Sequence, residues 1–199
     1  MVAFFATFGI SSQGFVFAES ERTAETKSVA GKTLQQNLEL LAGTERAVRL
    51  RAIRSIGLFG QPAGDALLTA LDHQDAAVRY IAAEHLGRLG GEALEKAKAR
   101  LRELADDESS LAVRTAASYA LCRGGDLDKH LPLLIKTLDY PERGMVCSTA
   151  ALLAKIGPPA KAAIGPLEKV HAQHRSGVKG GDYHIGGAAM NALREIREN

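Results

Sequence analysis

Residues 75–90, DAAVRYIAAEHLGRLG, contain the pattern that decides the fold of this chain. Apolar residues recur at Val78, Ala82 and Leu86, each four positions after the one before. On a helix of 3.6 residues per turn, these three positions fall within about 80° of one another and form one apolar stripe. Gly90, directly after the stripe, is typical of a helix end. The segment therefore predicts a helix that is buried along one side.

The same spacing recurs five times along the chain. The apolar residue that opens each copy is Val48, Val78, Val113, Val146 or Ile185, at intervals of 30, 35, 33 and 39 residues. An alanine follows four positions later in every copy, at Ala52, Ala82, Ala117, Ala150 and Ala189. Intervals of this length fit one pair of helices per copy. A methyl group at the centre of the stripe lets neighbouring helices approach closely, since a larger side chain would push them apart.

A second apolar stretch precedes each of these helices and predicts the outer helix of each pair. Its apolar residues are Leu34, Leu38 and Leu41; Leu67, Leu68 and Leu71; Leu101 and Leu104; Leu134 and Leu138; Ile164, Leu167 and Val170. Prolines near the predicted starts are Pro62, Pro132, Pro158 and Pro159, and glycines that end the inner helices are Gly60, Gly90, Gly124, Gly125 and Gly157. No run alternates with period two between hairpin turns, so we expect no strands. The pattern predicts an all-α protein, a right-handed α-solenoid of about five HEAT-like helix pairs.

The repeated motif D-x-x-V-R-x-x-A-x-x-x-L-G-x-L-G resembles the HEAT-like, armadillo-like helical repeats of phycobilisome-lyase relatives and of many scaffold proteins. The copy at 75–90 matches it best, and the next copy keeps Val113, Arg114, Ala117 and Leu121. The chain from Ser109 onward also resembles the helical repeat modules that accompany secreted bacterial sulfatases. The resemblance implies a scaffold that binds another protein, or a relative of the bilin lyases. In the fourth and fifth copies Cys147 and Gly186 replace the motif arginine.

The first 18 residues, MVAFFATFGISSQGFVFA, have a composition unlike the rest of the chain. They carry no charge and include five of the six phenylalanines. An apolar run that ends in Val16-Phe17-Ala18 is typical of a signal peptide, although no Lys or Arg precedes it. We therefore expect a signal peptide or apolar segment at 1–18, a polar linker at 19–32 and the repeat domain at 33–199. On this interpretation the protein is exported to the periplasm or secreted and has no stable membrane span after cleavage; otherwise it is cytoplasmic.

The charges along the chain give little support to nucleic-acid binding. Twenty-five Lys and Arg balance 23 Asp and Glu, for a formal net charge of +2. A nearly neutral chain with dispersed charge lacks the strong positive field that attracts a phosphate backbone. We expect a monomer whose partner is a protein of unknown identity, with no nucleic acid and no cofactor.

The candidate binding surface lies on the inner helices, at positions two, six and nine after the opening residue. These positions point away from the apolar stripe, and in stacked helix pairs this side is commonly concave. The residues selected are Leu50, Arg54, Tyr80, Glu84, Tyr119, Leu152, Lys155, Asn191 and Arg194. Tyrosine and arginine are enriched among residues that anchor protein interfaces. This strip is therefore predicted to contact the partner.

A row of arginines occupies equivalent positions in the first three copies: Arg49, Arg79 and Arg114. The simplest interpretation is structural, with each guanidinium bonded to carboxylates or backbone carbonyls of the adjoining unit, near Asp75 and Asp107. The alternative is a basic groove for an anion. Additional cations in the first copy, Arg46, Arg51 and Arg54, make that end of the chain the place to look for it.

Histidines and cysteines are the remaining candidates for chemistry. His171 and His174 share a helix face. Together with His85, and with Asp182 and His184 of a Gly-rich turn, they are a candidate zinc or nickel site. Cys122 and Cys147 lie at different heights on equivalent helices, about 12 Å apart along the axis. A disulfide requires Cα atoms within about 7 Å, so we expect two free thiols.

Three classes of function remain from the sequence. The first is a non-catalytic scaffold, the second is a bilin-lyase-like or metal-binding enzyme, and the third is an accessory repeat module of a secreted hydrolase. An enzyme needs a nucleophile, a base or a metal gathered in one pocket, and the sequence assembles no such set. We therefore expect a protein-binding scaffold without enzymatic activity.

Overall fold

The computed structural model describes residues 27–198. Within them lie ten α-helices, two short 3-10 segments and no strand, and none of these helices is both long and apolar enough to cross a bilayer. The predicted export segment at 1–18 and most of the predicted linker lie outside the described residues. The chain divides into two compact units, one ending at Ala63 and one beginning at Gly64.

The N-terminal unit contains one helix pair. Helix α1 is Leu34–Leu41 and α2 is Arg46–Ile56, and the 3-10 segment Gln61–Ala63 follows. Thr33 and Gln36 form a capping box at the start of α1: the Thr33 hydroxyl accepts from the Gln36 amide at 3.2 Å, and the Gln36 side chain accepts from the Thr33 amide at 2.9 Å. Two amides that have no partner inside the helix are satisfied in this way.

The C-terminal unit contains four helix pairs. Its helices are α3 Gly64–Ala70, α4 Ala76–Leu89, α5 Gly91–Asp107, α6 Leu111–Arg123, α7 Leu127–Thr137, α8 Arg143–Ile156, α9 Ile164–His174 and α10 Tyr183–Glu198, with the 3-10 segment Pro158–Ala163 before α9. The inner helices α4, α6, α8 and α10 pack side by side in that order. Each outer helix packs on the inner helix that follows it. Successive pairs stacked in this way form an α-solenoid.

The alanine stripe predicted from the spacing is confirmed. Ala52 is 2% exposed, and the other four alanines of the stripe are completely buried. Val78 and Leu86, on either side of Ala82, are also completely buried. The stripe therefore lies where the inner helices meet their neighbours, and the small side chain at its centre sets the distance between them.

Gly90, Gly124 and Gly157 are confirmed as the caps of their helices, whereas the position of Gly60 is wrong, because α2 ends at Ile56 with Gly57 as its cap. Gly90 and Gly157 end α4 and α8 with φ of 64° and 74°, in the left-handed region that glycine adopts without strain.

One proline position is also wrong. Pro132 lies inside α7 and not near its start. Because proline has no amide hydrogen, one hydrogen bond is missing in the middle of this helix. Helix α7 begins at Leu127, earlier than the proline suggested.

Candidate functional site

The inner helices of the C-terminal unit bring five of the predicted contact residues to the surface. Tyr80 and Glu84 on α4 are half-buried, and Lys155 on α8 is exposed. Asn191 and Arg194 on α10 are exposed as well. We call the surface formed by α4, α6, α8 and α10 on this side the inner surface. It carries tyrosine, amide and charged groups within one unit of the protein.

The expected exposure of Tyr119 and Leu152 is wrong. Each side chain is only 1% exposed. Tyr119 lies on α6, which packs between α4 and α8. Leu152 lies on α8, which packs between α6 and α10. Neighbouring inner helices therefore cover these positions opposite the stripe. The spacing within a single helix cannot predict this burial. Tyr119 and Leu152 lie in the layer beneath the inner surface.

An ion pair links two inner helices that are not adjacent along the stack. The Lys155 ammonium lies 2.6 Å from the Glu84 carboxylate, so the bond reaches from α8 to α4 past the intervening α6. The Glu84 and Lys155 side chains are 20% and 42% exposed, respectively. Such a partly exposed pair adds little to stability, about 1 kcal/mol or less. Its geometry shows that the inner surface is concave at α6.

Two tyrosines lie next to this ion pair. Burial, with the Glu84 carboxylate and Tyr119 nearby, raises the pKa of Tyr80 to about 12. Burial also raises the pKa of Tyr119 to about 12, an effect that Glu84 reinforces and that the nearby Arg123 and Arg88 oppose. Both phenols stay protonated at neutral pH. They can donate or accept a hydrogen bond but cannot act as a base there.

Two arginines of this surface were missed by the sequence reasoning. Arg88 and Arg123 are exposed in the last turns of α4 and α6. The Arg123 guanidinium makes long hydrogen bonds to the carbonyls of Gly87, at 3.5 Å, and of Lys155, at 3.4 Å, so it lies between α4 and α8. Both arginines are ten positions after the opening residue of their copy, one place beyond the positions considered. A basic residue in the last turn of each inner helix was the signal available in the sequence.

A shallow groove continues the inner surface between α8 and α10. Its volume is about 410 Å³. Its walls come from Ala151, Ala154, Lys155, Ala188, Asn191 and Glu195. The three alanines provide an apolar floor, and the longer polar side chains form its edge. Arg194 lies beside it and pairs with Glu195 at 3.4 Å.

The two remaining strip residues belong to the N-terminal unit. Leu50 on α2 is half-buried, and Arg54 is exposed in the last turn of the same helix. Arg54 also lines an open groove of about 470 Å³ in that unit, together with Lys32, Asn37 and Arg51. Two of the three extra arginines expected at this end, Arg51 and Arg54, therefore lie around a groove.

The arginine row is structural, as predicted, but its partners differ from those expected. Arg79 pairs with both oxygens of Glu108 at 2.8 and 2.9 Å, and it donates to the carbonyls of His73 and Gln74 at 2.7 and 3.0 Å. Arg114 donates to the Glu108 carbonyl at 2.7 Å. The carbonyls belong to the turn before the same helix, and the acidic partner is Glu108 in place of Asp75 or Asp107.

Arg49 and Asp75 also bond to backbone groups close to the starts of inner helices. Arg49 donates to the carbonyls of Gly43 and Thr44, again in the turn before its own helix. Asp75 caps α4, because its carboxylate accepts from the Ala77 amide at 2.9 Å. In these three copies, the arginine therefore satisfies carbonyls that precede its inner helix, five or six residues earlier in the chain.

The last copy replaces this arginine for a packing reason. Gly186 in α10 lies against the end of α9, and a Cβ placed there would be 2.5 Å from the His174 carbonyl oxygen. The Gly186 carbonyl also lies 3.0 Å from Nδ1 of His171. No side chain fits at this position, so α10 contacts α9 directly through its backbone.

Two of the candidate metal-binding histidines, His171 and His174, bond to the backbone through Nδ1. Nδ1 of His174 accepts a hydrogen bond from the Asp182 amide at 3.1 Å, which ties the Gly-rich turn to α9. Asp182 in turn accepts from the His184 amide and pairs with Arg143 at 3.5 Å. Over residues 27–198, no three His, Cys, Asp or Glu side chains are arranged to hold a metal ion.

Both cysteines are free thiols, as predicted. Cys122 is buried, and burial together with the nearby Asp126 raises its pKa to about 12. Burial and Asp182 also raise the pKa of Cys147. A raised pKa keeps a thiol protonated and lowers its reactivity as a nucleophile.

Comparison with known proteins shows similarity to repeat proteins. The HEAT repeats family model matches residues 34–122. No curated protein matches the chain. An engineered protein of known structure is 20% identical with a TM-score of 0.51, and the match covers 97% of this chain and 96% of that one. A second engineered protein is 23% identical, with a TM-score of 0.47 and coverage of 83% and 79%.

A third similar structure is described as "computationally designed armadillo repeat proteins for modular peptide recognition". It is 18% identical with a TM-score of 0.46, and the match covers 94% of this chain and 95% of that one. The family match falls on the copies whose alanine stripe and arginine geometry are described above. The sequence match identifies HEAT repeats in residues 34–122, and helix pairs stacked in the same α-solenoid manner continue through the C-terminal unit.

Proposed function

We propose that this protein is a non-catalytic scaffold that binds a protein partner through the inner surface of its C-terminal unit. The observation that carries the proposal is the gathering of Tyr80, Lys155, Asn191 and the missed Arg123 on one concave surface beside an apolar groove. Aromatic, arginine and amide groups at the edge of an apolar depression are the composition of a protein interface.

The buried members of the predicted strip keep a supporting role in this proposal. Tyr119 and Leu152 are buried beneath the inner surface and belong to the core that supports it. The contact residues are therefore Tyr80, Glu84, Lys155, Asn191 and Arg194, with Leu50 and Arg54 as separate candidates in the N-terminal unit.

The chemistry of the described residues favours binding over catalysis. Cys122 and Cys147 have raised pKa values, and Nδ1 of His171 and Nδ1 of His174 each have a backbone hydrogen-bond partner. Nucleophilic catalysis needs a thiolate or an activated hydroxyl with a base in reach. The inner surface offers shape and charge instead.

A photo-crosslinking amino acid placed at Asn191 in the full chain tests the proposal. Asn191 is exposed on the inner helix α10. The matched control carries the same crosslinker at Glu95, which is exposed on the outer helix α5. After irradiation in native extract, we expect one defined protein crosslinked at position 191 and absent at position 95, identified by mass spectrometry.

The identified protein must then bind the purified chain directly. We expect binding to weaken at least tenfold when Asn191 and Lys155 are both replaced by Asp, while helical circular dichroism is unchanged. Equal crosslinking at positions 95 and 191, or unchanged binding by the double variant, would reject the inner surface as the contact.

A further inference from the structure

The cations on the inner surface converge on α6. Arg123 lies against the backbones of α4 and α8, and Lys155 reaches back toward α4 to meet Glu84. The cluster formed by Glu84, Arg123 and Lys155 has two cations and one carboxylate, a local excess of one positive charge. We call it the cationic cluster.

The partial negative charge at the helix C-termini explains why basic residues occur there, but not why their side chains converge. A basic residue in the last turn of a helix is favoured by the partial negative charge there. That effect acts on each helix separately and does not require the side chains to meet. Arg123 contacts the ends of both neighbouring inner helices, and it is exposed. The result is an accessible positive site in a concave surface, where a bound anion is partly shielded from water.

The alanine-floored groove between α8 and α10 lies directly beside this cluster, because Lys155 belongs to both. Neighbouring packed helices are about 10 Å apart. The centre of the groove is therefore about 15 Å from α6, a distance that four or five residues of extended chain span at about 3.3 Å each. One ligand of that length can contact the cluster and the groove together.

We propose that the inner surface recognises an extended, carboxylate-rich segment of the partner protein, with an aliphatic residue four or five positions from a run of acidic residues. The acidic side chains pair with Arg123 and Lys155, and the aliphatic side chain enters the groove, where Asn191 can bond to the segment's backbone. This inference rests on the proposed function and adds the chemistry of the partner segment. Glu84 competes with the ligand for Lys155.

The direct test measures binding of a fluorescein-labelled peptide to the full chain by fluorescence anisotropy. The probe has the sequence Glu-Glu-Glu-Gly-Ser-Gly-Leu, and it is also made in reverse order because the direction of the segment is open. Matched peptides carry Gln or Lys in place of the three Glu, and Ser in place of Leu. We expect one order of the acidic peptide to bind at least tenfold more tightly than its Gln form, and the Ser form to bind severalfold more weakly.

Variants of the protein then locate the site. Arg123→Gln should weaken binding of the acidic peptide at least fivefold, while Lys161→Gln, an exposed cation before α9, should leave it unchanged. Glu84→Gln should tighten binding about threefold, because it frees Lys155 and removes a repelling charge. A misfolded variant does not gain affinity, so this gain is a sensitive test. Glu95→Gln on α5 is its control.

Three results would overturn the inference. They are equal binding of the acidic and Gln peptides, an equal effect of Arg123→Gln and Lys161→Gln, and binding of an oligothymidylate as tight as that of the acidic peptide. The last would show attraction of any polyanion. If a partner crosslinks at position 191 but saturating acidic peptide does not displace it, the inference is wrong and the scaffold proposal stands. If no partner crosslinks there, the scaffold proposal itself fails.

Discussion

At the residue scale, the alanine at the centre of each stripe sets how closely helices pack. Ala117 in α6 is completely buried, whereas Ala99 in α5 is exposed. We expect Ala117→Leu to lower the free energy of unfolding by about 1 to 3 kcal/mol, since the extra atoms have no space. Ala99→Leu should change it by less than about 0.5 kcal/mol. Urea unfolding followed by circular dichroism compares the two, and equal losses would contradict the role given to the stripe.

At the element scale, Gly186 and Gly187 give adjacent tests of how α10 meets α9. A Cβ at Gly186 would lie 2.5 Å from the His174 carbonyl oxygen, while a Cβ at Gly187 would have no neighbour within 4 Å. Gly186→Ala should therefore separate the two helices and increase hydrogen exchange of α10 amides at least tenfold. Gly187→Ala should slow exchange slightly, because alanine is the better helix former. The opposite order would show that the close contact does not hold α10.

The ion pair between Arg79 and Glu108 connects one helix pair to the next, because Arg79 lies on α4 and Glu108 lies in the turn after α5. Hydrogen bonding to Arg79 lowers the pKa of Glu108 from its ordinary 4.5 to about 2, and the two side chains are only 15% and 8% exposed. A carboxyl with a lowered pKa stabilises the fold above its ordinary pKa, and this contribution is lost as pH falls from about 4.5 to about 2. We expect Glu108→Gln to cost about 1 to 3 kcal/mol at pH 7.

The same variant should lose less stability between pH 4.5 and 2 than the unchanged protein does. Urea unfolding at fixed pH values measures both effects. Asp107→Asn is the matched control, because Asp107 is the exposed neighbour in the same turn. If Asp107→Asn removed as much of the acid dependence as Glu108→Gln, the ion pair would not be its source.

At the scale of the whole molecule, the sequence predicts what depends on local spacing. The positions of the alanine stripe and of Gly90 were found because helix periodicity and helix ends are encoded within a few residues. The burial of Tyr119 was not predicted, because it depends on helices that contact α6 from both sides. The convergence of Arg123 and Lys155 joins residues from different pairs, and only the stacking of those pairs brings them together.

The stability of the whole molecule should also respond to pH through His130 in α7. This side chain is 3% exposed, and its Nε2 has no hydrogen-bond partner among the described residues. Burial and Lys129 lower its pKa below the ordinary 6.5, while Asp126 and Asp106 act in the opposite direction and Arg102 adds to the lowering. The unfolded chain therefore binds a proton more readily than the folded one. Stability is lost as pH falls below about 6.5, in a window above that of Glu108.

Replacing His130 by Leu separates this effect from the carboxyl effects. His130→Leu should remove the loss of stability just below pH 6.5 and leave the loss between pH 4.5 and 2 unchanged, whereas Glu108→Gln should do the reverse. His184→Leu is the control, because His184 is exposed on α10. Thermal unfolding between pH 7.5 and 5 checks the prediction. Burying an imidazolium costs more than burying a neutral imidazole, so an unchanged pH profile in His130→Leu would contradict the assignment of this pH dependence to His130.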